Sequence, residues 1–112
     1  MDNQICLFVY GTLLDQEFTE NLVRRRLTYS PAKLYGFEKI NPSESFPYNY
    51  IVPHDGCEVE GMIIKGLDMG SLKILDRYEG VGSGMYKRIK VQVSTNQGNV
   101  EAYTYIAGKR LL

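Results

Sequence analysis

The apolar and polar positions divide the chain into short runs of two periods. From Gln4 to Tyr10, Ile5, Leu7 and Val9 alternate with Cys6, Phe8 and Tyr10, so both faces are apolar. That pattern predicts a strand buried on both sides. It stops at Gly11–Thr12. Asp15 to Arg26 is mostly polar, with Phe18, Leu22 and Val23 at helical spacing, which predicts a short amphipathic helix. Ala32 to Ile40 reads as another strand. Asn41 to Tyr50 holds two prolines, two serines and three aromatics, and is expected to be a loop, of a length often tied to function. Tyr50 to Pro53 and Glu58 to Lys65 read as two strands, joined as a hairpin by an Asp55–Gly56 turn. Asp68 is a good N-cap for a helix carrying Met69, Leu72, Leu75 and Tyr78, with Gly80 and Gly82 as stop signals. From Met85 to Thr95, Ile89, Val91 and Val93 oppose Arg88, Lys90 and Gln92. Asn96-Gln97-Gly98 turns the chain. From Asn99 to Ala107, Val100, Ala102, Thr104 and Ile106 oppose Glu101, Tyr103 and Tyr105. The expected fold class is α+β: five or six mainly antiparallel strands curled into a small β-barrel, with two short helices.

Composition changes this picture little. The 112 residues fit one domain, residues 1–112, with a core large enough to need no metal or disulfide staple. Lys plus Arg and Asp plus Glu stand at 13 each, so no large basic field for nucleic acid is expected. No apolar run reaches the roughly 20 residues of a membrane helix. The N-terminus lacks the basic start of a secretory signal. Cys6 and Cys57 lie in strand-like segments without C-x-x-C spacing. A cytoplasmic location with two buried thiols is the expectation. The nine tyrosines either line a polar-edged pocket or simply suit strands.

One carboxylate stands out. Glu79 follows Leu75 by four residues and Leu72 by seven, which places it on the apolar stripe of its helix. A carboxylate aimed at a core must be paired, protonated or put to use. Burial raises its pKa and makes it a better base at neutral pH. The alternative is a helix already frayed at Glu79, with the side chain solvated. Gly11–Thr12 has two readings as well. Glycine lets a ligand approach backbone N–H groups that can hold an anion or a developing oxyanion. The plainer reading is a strand-end turn.

"VYGTLL" near the start, "LDRYEG" followed by "YKR", and "EAYTYIAG" late in the chain resemble the gamma-glutamylcyclotransferase-like family, which includes gamma-glutamylamine cyclotransferases, AIG2-like proteins and the butirosin-pathway cyclotransferase. The motifs come in the family's order. The resemblance touches residues 5–14, 61–88 and 100–108, and aligns Thr28 to His54 only loosely. It implies a small mixed barrel whose cavity holds the gamma-glutamyl group of a small-molecule substrate. It also implies that Tyr10, Gly11, Thr12 and Leu13 form the substrate-binding loop and that Glu79 is the general acid/base. Tyr86 matches a tyrosine that orients substrate or glutamate, and Tyr105 lines the same cavity by analogy. The implied reaction needs neither metal nor cofactor. Family members often continue past the last strand, which would leave the cavity more open here.

Other residues carry weaker expectations. His54 is the sole histidine, expected at the surface beside a turn, and one histidine alone makes neither a His-based triad nor a zinc site. Arg24-Arg25-Arg26 complement a helix dipole more readily than they bind phosphate. Lys87, Arg88 and Lys90 mark a solvated strand face, with Arg88 alternatively reaching a substrate carboxylate. Phe46, Tyr48 and Tyr50 form either a lid or a packed cluster. The expected function is gamma-glutamyl cyclotransfer. The alternatives are a non-catalytic binding or regulatory module on the same fold, and a nucleic-acid binder using Arg88, Lys90 and Tyr103.

Overall fold

Five strands close into a barrel in a computed structural model that describes residues 5–44 and 46–111. The element order is β1 (Ile5–Val9), a 3₁₀ turn (Thr12–Leu14), α1 (Gln16–Val23), β2 (Thr28–Ile40), β3 (Tyr50–Leu67), α2 (Met69–Glu79), a second 3₁₀ turn (Val81–Ser83), β4 (Tyr86–Thr95), β5 (Gly98–Ala107) and a last 3₁₀ turn (Lys109–Leu111). This is the mainly antiparallel barrel with two helices that the periodicities predict, with the mixed pairing that the resemblance implies. Of the expected first strand, Gln4 lies outside the described residues.

β1 is the hub. It runs antiparallel to β3 and parallel to β5. Its double apolar face separates two cores. Leu7 and Val9 join Leu67, Leu75 and Tyr105 beneath the helices, while Phe8 and Tyr10 join Leu34, Ile51, Ile63 and Val93 inside the barrel. Gly61 on β3 permits this crossing, because a Cβ there would lie 2.2 Å from the Val9 carbonyl oxygen. β4 and β5 form the predicted hairpin around Asn96–Gly98. β2 meets β4 through the pair Lys33–Ser94.

The Asp55–Gly56 hairpin is not formed. Tyr50–Leu67 is one continuous strand, antiparallel to β2 along nearly its whole length. The register passes from Tyr35–Glu58 to Phe37–Pro53, so four residues of β3, His54 to Cys57, oppose Gly36 alone. Gly36 and Gly56 both adopt positive φ, 85° and 86°. The Asp-Gly signal therefore belongs to a bulge rather than to a chain reversal. The true hairpin joins β2 to β3 through the aromatic loop, residues 41–49, of which Ser45 lies outside the described residues. β2 also begins earlier than expected, at Thr28. Pro31 is tolerated there because, on the side away from β3, the pairing with β4 is confined to Lys33.

α1 ends at Val23, short of Arg26, with Arg24 in the left-handed region. Arg25 then turns away from its own helix end. Its Nε donates to the Gly66 carbonyl at 2.9 Å and its Nη1 to Asp68 Oδ2 at 3.1 Å. α2 matches its sequence signals. Asp68 caps it by accepting from the Ser71 N–H at 2.8 Å, and Gly80 closes it in the left-handed conformation. Leu72 and Leu75 are fully buried, whereas Met69 and Tyr78 are exposed. No described helix is long and apolar enough to cross a membrane.

Candidate active site

The C-terminal end of β1 and the C-terminal end of α2 open onto one cavity of about 210 Å³. That is smaller than the roughly 300–1,000 Å³ of a drug-sized site, and suits a fragment of a small metabolite. All seven residues singled out in the sequence line it: Tyr10, Gly11, Thr12 and Leu13 from the turn after β1, Glu79 from α2, Tyr86 from the start of β4 and Tyr105 from β5.

Glu79 is the last residue of α2, so the helix is intact up to it rather than frayed. It continues the stripe of Leu72 and Leu75 and is partly buried. Among the described residues it has no ion-pair partner. Burial alone pushes its carboxyl up from the ordinary 4.5 to about 7. Gly80 then bends the chain away at φ 71°, leaving the carboxylate at the cavity wall.

Opposite stands the 3₁₀ turn. Its own bonds run from the Leu14 N–H to the Gly11 carbonyl at 2.9 Å and from the Asp15 N–H to the Thr12 carbonyl at 3.1 Å. The N–H groups of Gly11, Thr12 and Leu13 have no backbone acceptor among the described residues. Such unpaired donors are the normal consequence of starting a helical turn. The turn is held from behind. The Thr19 hydroxyl donates to the Leu13 carbonyl at 3.0 Å, and the Tyr29 hydroxyl donates to the same oxygen at 2.6 Å.

The tyrosines are fixed by main-chain and carboxylate acceptors. The Tyr10 hydroxyl donates to the Tyr105 carbonyl, and the Tyr86 hydroxyl to the Asn49 carbonyl at 2.6 Å. The Tyr105 hydroxyl donates to Asp76 Oδ1 at 2.7 Å. Burial first raises the pKa of all three; the Glu79 charge adds to it at Tyr10 and Tyr86, and the Asp76 carboxylate at Tyr105. These phenols stay protonated, so Glu79 is the group in the cavity that titrates near neutrality.

A family model described as "Gamma-glutamyl cyclotransferase, AIG2-like" matches residues 7–111. The chain belongs to this family. Protein AIG2 C of Arabidopsis thaliana is 30% identical over 102 residues, covering 89% of this chain and 59% of that protein. The chain thus spans about three fifths of that relative's length. A solution structure of an Arabidopsis thaliana protein superimposes with a TM-score of 0.82 at 28% identity, covering 96% of this chain and 64% of the other. A structure described as "Gamma-glutamyl cyclotransferase" gives 0.78 at 26% identity, covering 94% and 67%.

In this AIG2-like member, further cavity walls come from residues the sequence did not single out. These are Asn49, Tyr78 and Met85; Phe46 and Tyr48 of the loop, expected as a lid or a cluster, line the cavity with them. Asn49 has no periodicity or motif to mark it, yet its carbonyl anchors Tyr86. The loop aromatics are both cluster and rim. Phe46 packs against Tyr50 and Tyr86 at 5.8 and 6.4 Å between ring centres, while Tyr48 is exposed. The tyrosines divide the same way: five line the cavity and the other four sit in strands. Arg88 does not line the cavity. It stands 3.6 Å from Asp76 Oδ2, too far for a hydrogen bond, and lies over the Tyr103 ring at 4.8 Å, with Lys90 over the same ring at 5.5 Å.

Proposed function

We propose that this protein is a gamma-glutamyl cyclotransferase that releases 5-oxoproline from a small gamma-glutamyl compound, with Glu79 as general acid/base. The observation that carries the reading is a partly buried carboxylate, free of any cation among the described residues, in the same cavity as the Tyr10–Leu13 turn. Family membership supports it.

The chemistry follows from these groups. Glu79, ionised, takes a proton from the substrate's α-ammonium. The freed amine attacks the γ-carbonyl of its own molecule, so the nucleophile is tethered and no enzyme nucleophile is needed. The tetrahedral intermediate carries an oxyanion, for which the N–H groups of Gly11 to Leu13, without a backbone acceptor among the described residues, are the donors. Glu79 returns its proton to the departing nitrogen as the original amide C–N bond breaks, and the ring nitrogen gives its extra proton to the released amine, which leaves as an ammonium. One C–N bond forms, one breaks, and no water is consumed. Tyr10, Tyr86 and Tyr105 act as neutral walls and position the turn and the loop.

The test is incubation with a panel of gamma-glutamyl amines and dipeptides, following 5-oxoproline by mass spectrometry. Glu79→Gln is expected to lose at least about 10²-fold in rate, the size of a lost general base. Unchanged cyclisation by Glu79→Gln would remove that residue from the chemistry. Absence of 5-oxoproline across the panel from folded wild type would favour the binding-module alternative.

A further inference from the structure

The β3 bulge brings together three side chains that the cavity does not use. His54 Nδ1 lies 3.0 Å from Glu38 Oε1 and 3.2 Å from Cys57 Sγ. All three donor atoms fall within 4.8 Å of one another. The histidine and glutamate side chains are about half exposed, so the site is open to solvent. None of the three lines the cavity.

The geometry distinguishes two chemistries. A Cys-His-Glu catalytic relay uses opposite ring nitrogens, one toward the thiol and one toward the carboxylate. Here both neighbours face the same nitrogen, Nδ1. A single nitrogen holds either one proton or one lone pair, so it cannot serve both neighbours as a relay. Three potential ligand atoms gathered within 4.8 Å of one another are instead the arrangement of a chelate. Tetrahedral zinc bonds of about 2.0–2.3 Å place neighbouring ligand atoms about 3.3–3.6 Å apart. The two distances to His54, 3.0 and 3.2 Å, need an opening of only a few tenths of an ångström, and the Glu38–Cys57 pair lies within 4.8 Å, in reach of side-chain rotation at an exposed site.

We propose that Glu38, His54 and Cys57 form a binding site for a divalent cation of the zinc class. The thiolate, imidazole and carboxylate set suits a borderline-soft ion, and a fourth position stays open to water. The thiol proton leaves to solvent on binding. The bound ion ties β2 to the bulge of β3, where the strand pairing is interrupted. This proposal is independent of the reaction assigned to the cavity.

Cobalt(II) is the probe, titrated into the reduced full-length protein. Coordination by Cys57 gives a thiolate-to-cobalt charge-transfer band in the near ultraviolet, and added zinc displaces it. Cys57→Ser should lose the band. His54→Ala and Glu38→Gln should each weaken binding about tenfold or more, and Cys6→Ser should leave it unchanged. Zinc should raise the Tm of wild type and leave that of Cys57→Ser unmoved. No band in wild type at millimolar cobalt overturns the proposal. A band that survives in Cys57→Ser overturns it equally.

Discussion

Glu79 owes its properties to what is missing around it. With no cation paired to it among the described residues, burial sets the titration near pH 7. As the proposed general base, Glu79 must be ionised in the free protein, so kcat/KM is expected to rise roughly tenfold per pH unit below 7 and to level off above it. The pH–rate profile of wild type checks this, and a flat profile from pH 5 to 8 would remove the role. Stability moves in the opposite direction. The folded pKa of about 7 lies above the ordinary 4.5, so between these values the folded state holds the proton more tightly. Stability therefore falls as pH rises through that window. Glu79→Gln, which cannot ionise, should be more stable than wild type at pH 8 by about 1–3 kcal/mol and nearly equal at pH 4, below both values. Urea unfolding at the two pH values measures the difference. This residue was legible in sequence because a carboxylate on an apolar stripe breaks the pattern. Asn49 was not, because its part depends on which chain segments the barrel brings beside it.

At the scale of elements, α2 both builds the core and delivers the carboxylate. Gly80 makes that delivery possible. Its φ of 71° is costly for other residues, and a Cβ there would stand 3.2 Å from Met85. Gly80→Ala is expected to cost about 1–2 kcal/mol in thermal or urea unfolding, and to lower kcat more than it raises KM because Glu79 is its neighbour. α2 was readable because periodicity, N-cap and C-cap agree, and each is a local signal. The long β3 was misread for the complementary reason. Asp55–Gly56 between two short apolar runs has every local mark of a turn. What decides is the partner: β2 is long enough to pair with both runs, and Gly36 opposite the bulge absorbs the extra residues. That competition is non-local, so no window of sequence contains it. The early end of α1 is similar, as Arg24 takes a left-handed conformation at φ 58° that usually calls for glycine or asparagine.

For the whole molecule, closure is uneven. β1 is paired on both edges and buried on both faces, while β2 and β4 meet at Lys33–Ser94. The seam between β2 and β4 is where the barrel should open first. Amide exchange is expected to be fastest, among strand residues, along the facing edges of β2 and β4, and slowest in β1. Hydrogen-exchange mass spectrometry on the native protein resolves this, and equal protection of both regions would contradict it. The barrel class followed from counting alternating segments. The cavity followed only from motifs, because its walls come from segments far apart in sequence that the closed topology gathers.

The aromatic loop joins two strands that are already zipped together along most of their length. Its ends are therefore fixed whatever lies between them. Descendants of this scaffold can lengthen, shorten or rewrite residues 41–49, and with them the mouth of the cavity, without renegotiating the barrel. Selection can try new ligands there as one tries keys in a lock whose mechanism stays untouched.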